Sequence, residues 1–372
     1  MRVTHIIGNG FDISSGLRTT AAELLSELKE VVEIAPLPPQ GIKVLANDIQ
    51  DKGIEYWSDF ETALGEATSY KAFSSSPDLF LEAKNEFERI LSELLRARVG
   101  LLNDNFVEEN ADSCINSLSN IQTSMQAAEL TAFNSTLKPI PDRWNYSHNF
   151  ITLNYTPTLE LLVDRFDKSQ AFTAGGSAKG NHYLSHFVYA HGSFDDAPIC
   201  GVNDKDQIKN EAFRKNPDVS AMLIKGNAQQ DYGTQHDKRA LELIESSSLI
   251  CTFGVSFGKS DKRWWTAVLN RLINSRNSAL ILFDKAYRGD YHLTWDKRRA
   301  RTDAIRRLYA ASEASNKMQE IISNRVFVLP SERFFVVEKP LTFSGLPEKD
   351  LMAIANRLYG NSMIPERRLA FS

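Results

Sequence analysis

The stretch HIIGNGFDISSG, residues 5–16, decides how the fold of this 372-residue chain begins. It joins a short apolar run, Val3–Ile7, to a turn that contains Gly8 and Gly10, and a helical pattern follows at Thr19–Val32. The run predicts a buried strand, because apolar residues without alternation suit a strand that is covered on both faces. The order of strand, glycine turn and helix raises the question of why this turn requires glycines, which have no side chain.

Later segments repeat the features of the first strand. Each is a short apolar run that ends at Gly, Asn, Asp or Pro, and helical patterns precede or separate several of them. Strands that alternate with helices predict an α/β fold with a doubly wound, mostly parallel, Rossmann-like sheet. The runs occupy residues 149–155, 186–192, 248–254, 278–284 and 324–330.

The segment between the first two predicted strands has a different pattern. Three prolines in IAPLPPQG, residues 34–41, end the first helix, and mostly helical periodicity then continues to about Pro141. We therefore predict a nucleotide-binding α/β domain at residues 1–33 and 142–335, a helical insertion at 34–141 and a C-terminal extension at 336–372.

Composition limits the class of protein. A charged share of 24% and a net charge of −4 lack the basic excess of a nucleic-acid binder, so a nucleic-acid partner is not expected. The cysteines, Cys114, Cys200 and Cys251, are too few and too far apart for a disulfide framework or a four-cysteine zinc site. With no secretion signal and no long apolar segment, we expect a cytoplasmic protein without a membrane partner.

The predicted strand ends are the place to look for chemistry. In a doubly wound sheet the ligand lies at the carboxyl ends of the strands, where Gly8–Asp12, Asn154–Thr156, His191–Ser193 and Gly254–Ser256 should converge. Glycine turns allow backbone N–H groups to approach a phosphate or a ribose. Each residue also has a structural alternative: a tight turn for the glycines, a cap for Asp12, and strand-end hydrogen bonds for Asn154 and His191.

Several blocks, in their order and spacing, resemble the phage abortive-infection family called AbiH. These blocks are IIGNGFDISSGL (6–17), WSDFETALG (57–65), FITLNYTPTLE (150–160), YAHGS (189–193), CGVND (200–204) and FGVSFGKSDKRWW (253–265). Some of them also resemble motifs of the sirtuin-like NAD-binding fold. The glycine motif is similar at Gly8, Gly10, Gly16 and Leu17, the TxN motif at Thr152 and Asn154, the HG pair at His191 and Gly192, and the GxS turn at Gly254 and Ser256.

This resemblance implies an antiphage effector that binds NAD as its substrate, with no metal, and hydrolyses the bond between nicotinamide and ribose. By analogy His191 is the base that acts on a ribose hydroxyl, Asn154 positions the attacking group, and Asp12 is a third catalytic candidate. Depletion of NAD would halt the infected cell. The NAD-binding candidates are Gly8, Asn9, Gly10, Phe11, Gly16, Thr152, Gly192, Gly254, Ser256 and Asp261.

The sequence also departs from the sirtuin pattern. Asn9 and Asp12 replace an alanine and a serine, Arg18–Ala21 replaces the Pro-x-Phe-Arg segment, and Thr156 replaces an aspartate. The chain lacks the cysteines of the zinc module, which argues against protein deacylation. A different nucleotide, a non-catalytic nucleotide sensor, a defence protein that depends on a phage trigger or a partner protein, a homo-oligomer and a nuclease remain open alternatives.

Two further segments have competing interpretations. In FGKSDKRWW, residues 257–265, we favour Ser260 or Asp261 as a helix cap and the two tryptophans as core residues over stacking on nucleic acid. In the segment at 57–65, we expect Asp59 and Glu61 to be surface or capping groups, with a lid over the crevice as the alternative.

Overall fold

A computed structural model describes residues 1–54, 57–118, 121–122, 125–137, 144–165, 180–195, 198–231, 235–258, 261–287 and 294–360. Its centre is a six-stranded sheet in the order β3-β2-β1-β4-β5-β6, and every neighbouring pair of strands is parallel. The predicted α/β class and the mostly parallel sheet are therefore confirmed. The strands are β1 Arg2–Ile7, β2 Trp144–Thr152, β3 Gly180–Tyr189, β4 Leu249–Phe253, β5 Ala279–Asp284 and β6 Val326–Pro330.

Burial on both faces explains the apolar runs. Every residue of β4, β5 and β6 is buried, as is every residue of β1 after Arg2. The boundaries of the second and third strands differ from the apolar runs: β2 ends at Thr152 and β3 ends at Tyr189. As a result, Asn154 and His191 stand beyond the strands, in the loops that follow them, and their side chains can turn toward a ligand.

Helices cover both faces of the sheet and fill the segment between β1 and β2. They are α1 Gly10–Ser14, α2 Ala21–Ile34, α3 Gln40–Gln50, α4 Trp57–Ala67, α5 Pro77–Val99, α6 Asp104–Leu118, α7 Ala127–Thr136, α8 Thr158–Asp164, α9 Glu211–Lys215, α10 Pro217–Leu223, α11 Lys225–Asp231, α12 His236–Glu245, α13 Lys262–Asn274, α14 Thr294–Ser312, α15 Asn316–Ile322 and α16 Glu348–Tyr359.

Helix α2 begins at a reciprocal cap and buries one side. The Thr20 hydroxyl accepts from the backbone N–H of Glu23, while the Glu23 carboxylate accepts from the backbone N–H of Thr20. Its buried leucines share one apolar core with Phe87 of α5 and Leu351 of α16. The helical segment between α2 and β2 and the last helix therefore pack on the same side of α2.

The glycines of the first turn are explained by a second loop. Strand order reverses at β1, so the loops after β1 and β4 lie side by side at a topological switch point. The N–H of Gly8 donates to the carbonyl of Phe253, and the N–H of Gly10 donates to that of Gly254, both at 2.9 Å. A Cβ added at Gly10 would lie 2.5 Å from the Gly254 Cα. The bare backbone therefore permits two loops to touch.

Three buried histidines form a row across three neighbouring strands, which we call the histidine row. His5 Nε2 lies 2.9 Å from His148 Nδ1, and His148 Nε2 lies 2.9 Å from His182 Nδ1. The rings stack among aromatic neighbours, with Phe150 at 5.2 Å from His5 and Tyr146 at 4.5 Å from His182. Burial lowers the pKa of His5 to about 3 and, with the adjacent imidazoles, lowers the pKa of His148 well below its usual value.

Candidate functional site

A cleft of about 1680 Å³ opens at the carboxyl ends of the strands. The loops after β1, β2, β3 and β4 all contribute to its wall, as expected for the crevice of a doubly wound sheet. Among the predicted site residues, those that line it are Gly8, Asn9, Gly10, Asp12, Asn154, His191, Gly254, Ser256 and Asp261. These residues, which are distant in the chain, therefore meet in one place.

The other predicted site residues lie outside that wall. Phe11 is fully buried and contacts Phe253 with a ring separation of 6.2 Å. Gly16 has a φ of +82°, and an added Cβ would come within 2.1 Å of the Leu341 carbonyl oxygen. Thr152 accepts a 3.1 Å hydrogen bond from the backbone N–H of Asn154, and Gly192 turns the chain with a φ of +75°. Each of these residues has a structural reason to be present.

Asp12 is the most deeply buried carboxylate of the cleft, with 1% of its surface exposed. Its Oδ2 accepts a hydrogen bond of 2.5 Å from the Thr156 hydroxyl. Burial raises the pKa of Asp12 to about 6, although hydrogen bonds from Thr156, Thr158, Asn154 and Thr19 oppose that rise. A carboxyl group with this pKa exchanges a proton near neutral pH, which is what a general acid or base requires.

One side-chain oxygen of Asp12 and one of Asn154 are buried without a hydrogen-bond partner among the described residues. Asp12 Oδ1 and Asn154 Oδ1 have no hydrogen-bond partner in the part of the chain that the structure describes. Buried polar atoms are rarely left in this condition, and the exceptions concentrate at functional positions. Asn9, in contrast, is fully engaged in the loop: its amide donates to the Thr19 carbonyl at 2.7 Å and accepts from the Thr19 hydroxyl at 2.6 Å.

His191 belongs to a group of charged side chains that we call the charged cluster: His191, Asp261, Lys225 and Glu61. His191 Nε2 lies 3.1 Å from Asp261 Oδ1, and the two side chains are 7% and 15% exposed. The contact is close but is not aligned as a hydrogen bond. Asp261 stands directly before α13, yet its side chain makes no capping bond, so our cap interpretation of Asp261 is wrong. Ser260, the alternative cap, lies outside the described residues.

Lys225 and Glu61 are the other two members of the charged cluster. Lys225 Nζ lies 2.5 Å from Glu61 Oε1 and 3.7 Å from Asp261 Oδ1, and both partners of the first pair are at most 4% exposed. Burial alone lowers the pKa of Lys225, but the two carboxylates outweigh that effect and raise it. Likewise, burial raises the pKa of Asp261, while Lys225 and His191 hold that pKa below its usual value.

The sequence interpretation did not find this pair. We favoured a surface or capping role for Glu61, but it is buried in an ion pair in the cleft wall. The alternative, that Asp59 and Glu61 reach the crevice, agrees with their position, since both line the cleft. Lys225 carried no signal at all. A lysine between two buried carboxylates has no fixed spacing in a sequence. The tryptophans of FGKSDKRWW are confirmed as core residues, since Trp264 and Trp265 are 1% and 0% exposed.

Within the described residues, no group of three or more His, Cys, Asp or Glu side chains is arranged to hold a metal ion. A helix with the length and apolarity needed to cross a membrane is likewise not found in the described part of the chain. The cysteines Cys114, Cys200 and Cys251 are buried thiols.

The sequence of the chain also matches a known protein family. The family described as "Bacteriophage abortive infection AbiH" matches residues 4–283, which include most of β1 and β5, all of β2 to β4 and every residue named in the charged cluster. The chain belongs to the AbiH family. The predicted family is therefore confirmed, and it associates this AbiH protein with phage abortive infection. A search of curated proteins found none that matches this AbiH chain.

Proposed function

We propose that this AbiH protein acts in phage abortive infection by binding NAD in the cleft and hydrolysing the bond between nicotinamide and ribose. The observation that carries the proposal is the meeting of Asp12, Asn154 and His191 along one cleft. The three residues follow three different strands and are distant in the chain, and the parallel sheet brings all of them to one edge.

The position and size of the cleft support a dinucleotide as the ligand. The strand order β3-β2-β1-β4-β5-β6 is the order of doubly wound dinucleotide-binding sheets, in which the ligand crosses the switch point between the two halves. A cleft of about 1680 Å³ exceeds the roughly 300–1,000 Å³ that is usual for small-molecule pockets. It therefore has room for a ligand with two nucleotide halves.

The chemistry requires a base, a positioned nucleophile and stabilisation of positive charge. The oxygen of a water molecule forms a bond to C1′ of the ribose while the C1′–N bond breaks, and the electrons of that bond leave with neutral nicotinamide. The proton lost by the water passes to Asp12, whose pKa of about 6 leaves it mostly ionised at pH 7. Asn154 orients the water, and His191 is the base toward a ribose hydroxyl, from which it accepts a hydrogen bond that increases electron density on the ribose as the C1′–N bond breaks.

Charge in the wall favours the same reaction. The transition state of glycosidic cleavage has oxocarbenium character, so positive charge develops on the ribose ring. Asp12 and Asp261 are carboxylates in the cleft wall, and a buried carboxylate acts strongly because little water screens it. An anionic transition state would not be stabilised by this wall.

The test is release of nicotinamide and ADP-ribose from NAD by the purified protein, with and without extract from phage-infected cells. Loss of a general base typically reduces the rate by about 10²- to 10⁴-fold, so His191→Gln should lower kcat by at least about 100-fold. His186→Gln is the matched control, since His186 lies on β3 and is exposed beside Arg239. No nicotinamide under either condition would overturn the proposal.

A second candidate is a nucleotide sensor that binds without turnover. It is favoured by the contact of His191 with Asp261, which occupies one ring nitrogen of the proposed base. A sensor would bind NAD and protect cells from phage after His191→Gln, whereas a hydrolase would lose protection with that change.

A further inference from the structure

The charged cluster connects His191 to a helix far away in the sequence. His191 follows β3, Asp261 precedes α13, Lys225 begins α11 and Glu61 lies in α4. Successive members are in contact: His191 Nε2 lies 3.1 Å from Asp261 Oδ1, Asp261 Oδ1 lies 3.7 Å from Lys225 Nζ, and Lys225 Nζ lies 2.5 Å from Glu61 Oε1. Buried charges are costly unless they are paired, so a line of four such groups needs an explanation.

The contact with Asp261 fixes which ring nitrogen carries a proton. Asp261 is ionised, because Lys225 stabilises its charge, and a carboxylate oxygen has only lone pairs to offer. A nitrogen that also presented a lone pair at 3.1 Å would be repelled, whatever the angle of approach. His191 Nε2 must therefore carry a proton, and Nδ1 is left as the acceptor in the neutral ring.

We propose that Asp261, Lys225 and Glu61 are positioning residues that hold His191 in the Nε2–H tautomer, with Nδ1 as the nitrogen that accepts a proton or hydrogen bond from the ligand. Lys225 balances the charge of Asp261 and holds its carboxylate beside Nε2 of His191. Glu61, from the helical segment between α2 and β2, anchors Lys225. The inference rests on the proposed function only where it assigns His191 as the base.

Other charged groups near His191 do not replace this role. Asp237 also lies close enough to His191 for their charges to interact, but Arg263 forms a tight ion pair with Asp237. The Tyr155 ring lies 6.4 Å from the His191 ring and presents no charge. Asp261 remains the carboxylate in direct contact.

The test measures the ring nitrogens of His191 directly by nitrogen-15 NMR at pH 7.5, with His191→Gln used to assign its signals. The wild type should show a protonated Nε2 and an unprotonated Nδ1. In Asp261→Asn this preference should be lost. In Lys225→Met the preference should weaken, because Lys225 then no longer holds the Asp261 carboxylate beside the ring.

Matched variants keep the outcome clear. Lys52→Met is the control, because Lys52 pairs with Glu66 of α4 at a more exposed position and should leave the His191 signals unchanged. Lys225→Arg should retain the wild-type tautomer. A wild-type ring with the proton on Nδ1 would overturn the inference, even if the lysine variants failed to fold. So would His191 signals that do not respond to Asp261→Asn. Absence of NAD hydrolysis with the expected tautomer would overturn only the proposed function.

Discussion

The histidine row and the charged cluster are both buried, yet the surroundings of their imidazole rings differ. His5 and His148 lie within strands, among aromatic rings, and form hydrogen bonds along the row. His191 sits beyond a strand end and touches Asp261. Burial of a histidine therefore says little about function. The neighbours decide whether the ring is kept neutral inside the core or becomes part of a charged site.

The largest effect should come from removing the one lysine of the cluster. Lys225→Met leaves the buried Glu61 carboxylate without its lysine and Asp261 with His191 alone, and breaking a buried pair in this way costs about 3–5 kcal/mol of unfolding free energy. Urea denaturation measures this. Lys52→Met removes the more exposed partner of Glu66 and should cost at most about 1 kcal/mol. Equal losses for the two variants would show that the buried pair has no special weight.

Acid should affect the histidine row and Asp12 of the cleft wall with opposite signs. The pKa of His5 is about 3 in the folded chain against 6.5 when unfolded, so the unfolded chain binds more protons between these values and stability falls as pH drops below 6.5. His148 acts in the same direction. The pKa of Asp12 is about 6 against 3.8 when unfolded, so the folded chain takes up the proton first and gains stability as pH drops through 6.

The histidine row should dominate that balance. Between pH 7 and pH 5 two neutral buried histidines outweigh one raised carboxyl, and the net loss should be about 2–3 kcal/mol. Denaturation curves at half-unit steps of pH measure the slope. A variant with all three histidines of the row replaced by leucine should be more stable at pH 5 than at pH 7, because the raised pKa of Asp12 is then no longer outweighed by the row. If the unfolding free energy still falls between pH 7 and pH 5 after this replacement, groups other than the histidine row cause the fall.

Breaking the row at its centre should have a smaller effect. His148→Leu leaves His5 and His182 without their shared neighbour, and a buried polar group that loses its partner costs roughly 1–3 kcal/mol. Replacing the whole row should cost less than the sum of the three single changes, since no broken hydrogen bond then remains between rings. Additive losses would mean that the rings contribute independently.

The smallest effect should be a gain. Asp12→Asn removes a carboxyl whose raised pKa makes its ionised form unfavourable in the folded state by about 3 kcal/mol above pH 6. The amide also accepts fewer hydrogen bonds than the carboxylate, which Thr156 and Thr19 now donate to, so the net gain in unfolding free energy at pH 8 should be about 1 kcal/mol. At pH 5, where Asp12 is mostly protonated, the gain should shrink. If the proposed reaction is correct, the same variant should lose nicotinamide release, and stability and activity would then move in opposite directions.

The strands and the meeting of strand ends were predictable from local pattern. Short apolar runs bounded by polar or turn residues have few interpretations, and parallel strands necessarily bring their carboxyl ends to one edge. This is why Asp12, Asn154 and His191 were found from the sequence. The AbiH family followed from blocks whose order and spacing are specific.

What escaped prediction depends on contacts between distant segments. Gly8 and Gly10 suggested a phosphate loop, but their backbone is packed against Gly254, which the first turn gives no sign of. Lys225 and Glu61 look like ordinary surface charges in their own helices and become buried only when α4 and α11 meet behind the cleft. Pairing of this kind leaves no period or motif, so only the fold reveals it.

The position of β1 at the centre of the sheet also affects how the protein is made. Ile7 pairs with Thr152 on one side and with Phe253 on the other. The first strand to be synthesised therefore cannot be paired on both sides until the chain near residue 250 has been made. Asp261, Lys225 and the loop after β4 come from the same late part of the chain. A growing polypeptide on the ribosome therefore has no finished cleft, and whatever reaction the cleft performs can begin only after most of the molecule has been translated.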